Sequence, residues 1–271
     1  MILYFERMAI LIIFMNDKKK GKLMLRNLWI IVALACLFFA PVQAQEKITL
    51  TTLDWEPYIG QSLKKQGYVA EIIREVFKRS GYEVEMKFTP WARAVYLAKE
   101  GFVDGYFPEY YADEIKAFAM FSDPFQGGPL GFFKQKDRDI SFNTLKDLMS
   151  YKIGVVRDYI NTKEFDQADY LTKEAVNDDL TNLKKLIAGR IHLMVGDQFV
   201  GLYLMEKNQL KGRENIEFMM PPLELKDLYL CISRKTPDAD KKLAAFNKGL
   251  KEITEDGTLK QILTDHGFLK K

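Results

Sequence analysis

The chain contains few of the residues on which enzymes most often build their chemistry. Among its 271 residues there are two cysteines and two histidines. His192 lies in an apolar segment, His266 lies near the C-terminus, and the sequence has no Cys/His cluster with zinc-ligand spacing. It also lacks a glycine-rich phosphate-binding loop. The composition therefore favours neither metal-dependent nor phosphoryl-transfer catalysis, and we expect no enzyme activity, no cofactor and no metal.

The cysteines exclude an internal disulfide in the mature protein. Cys36 lies within an N-terminal apolar run that we expect to be removed. Cys231 lies in the apolar segment "LYLCISRK", where a lone cysteine is usually buried. An exported protein with one cysteine must be stabilised by its hydrophobic core, and this chain is long enough to form one large or two small domains.

Residues 1–44 have the pattern of a secretory signal peptide. Several lysines precede the unbroken apolar run Leu28–Ala40, and the small-residue sequence Val42-Gln43-Ala44 follows it. The run is shorter than the roughly 20 apolar residues that a spanning helix needs, although an uncleaved membrane anchor is the alternative. We therefore predict cleavage after Ala44 and a periplasmic location. The initiating methionine stays open among Met1, Met15 and Met24.

The small positive net charge of the chain comes from residues 1–44. The whole sequence has 40 basic and 37 acidic residues, for a formal net charge of +3. Removing residues 1–44 removes six basic and two acidic residues, which leaves 34 basic and 35 acidic residues. A chain with this balance has no electrostatic signature of nucleic-acid binding.

Strands and helices alternate along the rest of the chain. The segment "KITLTTLDWEPY" predicts a strand that enters an aromatic loop, and Thr89-Pro90 predicts a helix start with Thr89 as the N-cap. Between them an apolar stripe predicts an amphipathic helix that stops at Gly81, and the stripe comprises Val69, Ile72, Ile73, Val76 and Phe77. A second series, "YKIGVVRDYIN", "LTNLKKLIAG" and "RIHLMVGD", repeats the order. Such alternation favours a largely parallel sheet in each series.

Two further segments, "PLGFFKQK" and "LYLCISRK", flank the second series and predict a pair of strands that connects two α/β lobes. We predict lobe 1 over residues 47–131, lobe 2 over 132–228, and a return to lobe 1 over 229–271. Each lobe would contain a mixed, mostly parallel sheet flanked by helices, and the two connecting strands would act as hinges. A cleft between such lobes suits a ligand, and hinge closure is the expected motion.

Several short motifs follow one another in a characteristic order. They are "DWEPY", "GYVAEIIREVFKRSGY", "PWARA", "GFVDGYF", "FSDPF", "KIGVVRDY" and "EDGTLKQILTDHG". Over nearly all of residues 47–269 their order and spacing resemble the family 3 solute-binding proteins, the periplasmic amino-acid-type receptors of ABC importers. The resemblance implies a type II periplasmic binding protein fold with two lobes, two hinge strands, a ligand in the cleft and, in most members, no catalysis.

The resemblance also implies a binding site, from which this sequence departs. In the family, a Thr-x-Glu-Arg-like element before the Ser-Asp-Pro turn supplies an arginine to the α-carboxylate of the ligand. Here Glu114 matches the element, whereas Ile115 replaces the arginine. Lys116 beside it lacks the planar fork that holds a carboxylate through two bonds. The family places at Asp197 the carboxylate that binds a ligand ammonium.

Other charged residues are candidates for ligand contacts. Arg93 lies in the first turn of the Pro90 helix, where free N–H groups favour an anion, and Arg157 lies at a strand end. The alternative for Arg93 is a surface arginine stacked on an aromatic residue, and the alternative for Arg157 is a solvated charge at the strand end. A helix N-cap is the alternative for Asp197, and a solvated loop acid is the alternative for Glu109, the last candidate. We expect Arg93 and Asp197 to bind opposite charges of one ligand from opposite lobes.

Aromatic residues suggest a wall for the ligand, which would suit a cationic, cyclic or peptide-like compound. The candidates are Trp55, Tyr58, Trp91, Tyr106 and Tyr110. Packing in the core of the lobe is the alternative, especially for Tyr106 within its strand. We therefore expect about three of the five to line the cleft.

The sequence thus predicts a monomeric periplasmic protein that captures a small polar ligand, such as an amino acid or a related amine or peptide-like compound. The protein would present this ligand to an ABC importer in the inner membrane. A ligand sensor that docks on a membrane signalling receptor is the alternative. A further alternative is a dehydratase-like enzyme on the same fold, in which Glu109 or Asp197 acts as general acid if burial raises its pKa.

The first prediction concerns the mature N-terminus. Mass spectrometry of the exported protein should find Gln45 as its first residue, because a small residue at Ala44 ends the signal pattern. Ala44→Phe should slow cleavage, since the site requires a small side chain. Exported protein that retains residues 15–44 would contradict the signal-peptide interpretation.

Overall fold

The computed structural model describes residues 46–269, so the predicted signal peptide and Cys36 lie outside the described residues. The strands are β1 (Glu46–Thr52), β2 (Tyr82–Phe88), β3 (Gly105–Glu109), β4 (Ala119–Phe121), β5 (Phe125–Gln135), β6 (Lys152–Val156), β7 (Thr172–Val176), β8 (Leu193–Asp197), β9 (Ile216–Phe218) and β10 (Glu224–Ser233). The helices are α1 (Tyr68–Arg79), α2 (Trp91–Lys99), α3 (Lys163–Asp166), α4 (Asp179–Ile187), α5 (Gln198–Lys207), α6 (Ala239–Glu255) and α7 (Thr258–Asp265). Over this range none of the helices combines the length and the apolar character needed to cross a membrane.

The strands form a mixed sheet with the order β2-β1-β3-β10-β5-β8-β6-β7. In the first half of the sheet, β1 pairs in parallel with β2 and with β3. In the second half, β6 pairs in parallel with β7 and with β8. Strand β4 pairs with β10, and β9 pairs with β5. The two parallel groups correspond to the two βα series of the sequence.

The long strands β5 and β10 connect the two halves of the sheet. They pair in antiparallel fashion, with Glu224 opposite Leu130 and Leu228 opposite Phe125. Beyond Leu228, β10 changes partners and pairs with β3 and β4. These strands contain the two connecting segments of the sequence, and hydrogen bonding continues from one half to the other through β10. The lobe bounds themselves stay a prediction.

The predicted helices occur with small shifts at their ends. All five residues of the apolar stripe are fully buried in α1, which ends at Arg79, shortly before the left-handed residue Gly81 (φ +81°). The prediction that Thr89 caps the next helix is wrong. Helix α2 begins at Trp91, and the Thr89 N–H donates to the Thr52 carbonyl at 2.8 Å, so Thr89 extends the pairing of β1 with β2. Pro90 therefore occupies the N-cap position.

Polar contacts fix the segments that surround this sheet. Asp104 accepts from the Thr49 backbone N–H at 2.7 Å and from the Lys242 ammonium at 2.7 Å, which fastens α6 to the first half of the sheet. Both histidines have structural partners: His192 Nδ1 accepts from the Lys152 N–H at 2.8 Å, and His266 contacts Glu71 at 2.9 Å. Cys231 is buried, as predicted.

The parallel strands bring distant parts of the chain to the same edges of the sheet. Because parallel strands end on one side, the loops after β1, β2 and β3 lie together, and so do those after β6, β7 and β8. Trp55, Trp91 and Glu109 come from the first group. Tyr159 and Asp179 come from the second group. The candidate site is built where these two sets of loops meet.

The second prediction tests the packing of α6 on α1. A Cβ at Gly249 would lie 2.6 Å from the Val76 carbonyl oxygen and 2.9 Å from Val76 Cγ1. Gly249→Ala should therefore lower the free energy of unfolding by about 1–3 kcal/mol, despite the better helix propensity of alanine. Urea unfolding measures the change, with the exposed neighbour Lys248→Ala as control. A Gly249→Ala variant as stable as the wild type would contradict this close approach.

Candidate ligand-binding site

Two adjoining cavities lie at the meeting point of the loops. The first is lined by Leu53, Trp55, Trp91, Pro108, Glu109, Tyr110, Tyr159, Ile160 and Leu228. The second shares Leu53, Trp55, Trp91 and Tyr159 with it and extends along residues 88–91 and 177–180. We call the two cavities together the cleft.

Aromatic side chains from both halves of the sheet form the walls of the cleft. The indole Nε1 of Trp91 donates to the Asp158 carbonyl at 3.2 Å, and its ring meets Tyr159 edge to face at 6.3 Å. Trp55 meets Tyr110 edge to face at 5.9 Å. Each wall is therefore held by its neighbours, which gives the cleft a preformed shape.

Two other predicted aromatic residues lie behind the walls. Tyr58 is fully buried, stacks on Trp55 at 4.7 Å, and donates its hydroxyl to Asp197 at 2.9 Å. Tyr106 is fully buried and donates to Glu109 at 3.2 Å. The structure thus brings Trp55, Trp91 and Tyr110 to the cleft and uses Tyr58 and Tyr106 to support them.

Glu109 and Asp179 are two of the buried carboxyl groups that line the cleft. Glu109, at the end of β3, accepts from the Tyr110 N–H at 2.8 Å, and burial raises its pKa to about 8. Asp179, the first residue of α4, accepts from the Tyr159 hydroxyl at 3.3 Å, and burial raises its pKa to about 7. Neither forms an ion pair with a basic side chain within residues 46–269. Hydrogen bonds from tyrosines and a backbone N–H only partly offset the burial of each carboxyl.

Asp197 lies outside the lining of both cavities. It caps α5, because its Oδ1 accepts from the Phe199 N–H at 2.9 Å and from the Val200 N–H at 3.1 Å. Its Oδ2 accepts from the Tyr58 hydroxyl at 2.9 Å and from the Tyr110 hydroxyl at 3.2 Å. Burial raises its pKa to about 6. The family resemblance assigns the Asp197 carboxylate to a ligand ammonium. In this structure, hydrogen-bond donors of the protein itself occupy both of its oxygens.

The two predicted arginines are exposed, and neither is among the described residues that line the two cavities of the cleft. Arg93 lies two residues after Trp91, which is about 200° around the helix, so the two side chains leave α2 on opposite faces. Arg157 is exposed after β6, while its backbone N–H donates to Val176 at 2.8 Å. The expected contact of Arg93 with a ligand has no support in this geometry. Lys116 contacts Asp113 at 3.1 Å on the surface.

Sequence reasoning missed Tyr159 and Asp179. Tyr159 lies in the loop after β6, two residues beyond the predicted site residue Arg157. Asp179 belongs to the pair Asp178-Asp179, and such a pair before a helix is typical of a cap. Asp178 does cap α4, by accepting from the Thr181 N–H at 2.8 Å. Because one acid is enough for the cap, the presence of Asp179 beside Asp178 was the feature of the sequence that could have indicated a role in the site.

Comparison with known proteins agrees with this architecture. A two-lobed α/β fold with a cleft at the strand ends defines a ligand-binding protein of the type II periplasmic binding protein fold. The sequence model of the bacterial extracellular solute-binding proteins, family 3, matches residues 49–268, and the chain belongs to this family. None of the curated proteins matches the chain.

Several solved structures share the fold at low sequence identity. A histidine kinase sensor domain with similarity to periplasmic binding proteins is 21% identical, with a TM-score of 0.72 over 82% of this chain and 97% of that one. An ancestral arginine-binding protein bound to arginine is 20% identical, with a TM-score of 0.69 over 82% and 98%. The substrate-binding protein of an amino acid ABC transporter is 16% identical, with a TM-score of 0.68 over 82% and 100%.

The third prediction follows from the burial of Glu109. Its pKa of about 8 in the folded protein lies above the ordinary 4.5. Between these values the unfolded chain has lost the proton that the folded protein keeps. Raising the pH through this window therefore lowers the free energy of unfolding, by up to about 1.4 kcal/mol per pH unit. Because Glu109→Gln has no proton to lose, its stability relative to the wild type should rise between about pH 5 and pH 8.

Urea unfolding across this range measures the difference between the variant and the wild type. The control is Glu114→Gln, since Glu114 is exposed but its negative charge still acts on the pKa of Glu109. Its stability difference from the wild type should change with pH far less. The other groups around Glu109 are present in every sample and comprise Tyr106, Tyr110, Lys226 and Cys231. A pH-independent difference for Glu109→Gln would contradict a buried, protonated Glu109.

Proposed function

We propose that the protein captures a small polar ligand in the cleft and presents it to a partner in the membrane, without chemical turnover. The observation that carries this proposal is the composition of the cleft, which has aromatic walls and, from the two halves of the sheet, two buried carboxyl groups that form no ion pair. A concave apolar site with a few convergent polar groups is the usual form of a small-molecule site. Membership of a solute-binding family supports the same function.

The two halves would move as lobes around the cleft, over residues 47–131 with 229–271 and over 132–228. Strands β5 and β10 would be the hinges, because each of them runs from one half of the described sheet into the other. Contacts already cross the cleft: Tyr58 and Tyr110 bond to Asp197, Trp91 bonds to the Asp158 carbonyl, and Lys207 pairs with Glu56. A ligand that touches both walls would add to these contacts and favour the closed form.

An ABC importer is the membrane partner we favour, since a structural relative is the substrate-binding protein of such a transporter. A sensing role is the second candidate, because a histidine kinase sensor domain shares the fold over most of both chains. A strain without the gene separates the two roles. Transport predicts loss of ligand uptake, whereas sensing predicts normal uptake with loss of the transcriptional response.

The raised pKa of Glu109 meets one condition for general acid catalysis, so turnover needs a direct test. Mass spectrometry of the ligand after long incubation with the protein should show it unchanged. A product that Glu109→Gln fails to form would establish an enzyme instead.

The fourth prediction is that a ligand stabilises the protein through the cleft. In a thermal-shift screen of amino acids, amines, short peptides and organic acids, at least one compound should raise the melting temperature. A ligand at 100 times its Kd adds about 2.7 kcal/mol to the free energy of unfolding. Trp91→Leu should abolish the shift, because Trp91 lines both cavities.

The matched control is Tyr96→Leu, since Tyr96 lies on the same helix but is 54% exposed and lines neither cavity in the described structure. This variant should keep the shift. A shift that both variants retain would place the ligand outside the cleft, and a screen in which no compound stabilises the wild type would contradict solute binding.

A further inference from the structure

The charges of the cleft are unbalanced. Among the described residues that line either cavity, none is lysine or arginine. Two carboxyl groups, Glu109 and Asp179, are each about 5% exposed and face the same aromatic walls. Glu56 also lines the second cavity, but it already pairs with Lys207. These two buried carboxyl groups therefore form no ion pair with a basic side chain among the described residues, and Lys226 acts on Glu109 only through its electrostatic field.

The nearest buried cation is committed elsewhere. The Lys226 ammonium contacts Glu224 at 2.9 Å and lies 5.5 Å from the centre of the Tyr110 ring. Tyr110 lines the cleft, and Lys226 is absent from the lining residues that the structure describes. A ligand carboxylate in the cleft would therefore meet carboxyl groups and aromatic faces rather than a cation, and would bind poorly.

Asp197 cannot serve as the counter-charge for a ligand in this form. Two backbone N–H groups and two tyrosine hydroxyls donate to its two oxygens, which uses the four acceptor positions of a carboxylate. A positively charged group of a ligand must therefore approach Glu109 or Asp179. Tyr159 connects these positions, because it lines both cavities and its hydroxyl donates to Asp179 at 3.3 Å.

We propose that the ligand of this cleft is an organic cation without a carboxylate, an amine or guanidine held between the faces of Trp55 and Trp91 with Glu109 and Asp179 as its counter-charges. Aromatic faces attract cations, most strongly in sites from which water is excluded. The ligand also provides the positive counter-charge that Glu109 and Asp179 lack. This inference rests on the proposed solute-binding function and narrows its ligand class.

Compounds that differ only by a carboxylate test the ligand class. The probes are three amino acids and the amines that remain after their decarboxylation: lysine and cadaverine, arginine and agmatine, tyrosine and tyramine. Isothermal titration calorimetry should show at least one amine binding about 30-fold or more tightly than its parent amino acid, since the parent places a carboxylate beside unpaired carboxyl groups. Equal or tighter binding of the parents, or no binding by any of the six, would overturn the cation class.

Isosteric variants test the assigned residues. Glu109→Gln and Asp179→Asn should each weaken binding of the preferred amine by about 30-fold or more, since each removes a buried counter-charge and keeps the shape of the side chain. Glu114→Gln should leave the affinity unchanged. Unchanged binding in both Glu109→Gln and Asp179→Asn would overturn the assignment.

The two levels of the proposal fail differently. If the wild type binds amino acids or organic acids but none of the amines, solute binding stands and the cation class is wrong. If no compound of the broader thermal-shift screen binds either, the proposed function fails as well. Circular dichroism of each variant confirms that a loss of affinity does not result from unfolding.

Discussion

The carboxylate of Asp197 holds together the parts of the structure on which the cleft depends. It begins helix α5 and receives the hydroxyls of Tyr58 and Tyr110, which come from the first half of the sheet while Asp197 ends a strand of the second. The network requires glycine at position 128 of strand β5, because a Cβ there would lie 2.1 Å from the Tyr58 hydroxyl and 3.0 Å from Asp197 Oδ2. Because Tyr110 forms a wall of the cleft, the two tyrosine hydrogen bonds that join the halves also fix the shape of the site.

Because hydrogen-bond donors of the protein occupy both oxygens of Asp197, other carboxyl groups must provide the charge that a ligand would contact. A carboxylate with four protein donors is already stabilised, whereas Glu109 and Asp179 are buried with fewer donors and keep pKa values of about 8 and about 7. Burying a carboxyl group without a cation disfavours its charged form, and a cationic ligand reverses this preference. Cation binding to the cleft is thereby coupled to ionisation of the two carboxyl groups. The burial that makes these groups unfavourable in the empty protein makes them effective partners for a cation.

The architecture could be predicted from the sequence because it depends on periodic patterns. The apolar stripe of α1 and the strand order of the two βα series follow from side-chain spacing alone. The direction in which a loop side chain points follows no such periodic pattern. Tyr106 and Trp91 lie in neighbouring motifs, yet one supports the wall and the other forms it. Arg93 lines neither cavity, because a helix turns about 200° over the two residues from Trp91, and this relation is already contained in the sequence. The occupancy of Asp197 depends on Tyr58 and Tyr110, 139 and 87 residues away along the chain, and only the fold brings these groups together.

The contacts across the cleft also constrain what a ligand can do to the protein. A ligand shifts an equilibrium between open and closed forms only by the difference in its affinity for them. Here Tyr58, Tyr110 and Trp91 already bond across the cleft, so part of the free energy that favours closure comes from the protein itself. Less of the ligand's binding free energy is then used to close the cleft, which raises the affinity and reduces the ligand-dependent change in shape. That balance suits a receptor that captures a scarce solute. A sensor needs the opposite balance, because its signal is the change in shape, and weakening the hydrogen bonds to Asp197 would move this fold from the first role towards the second.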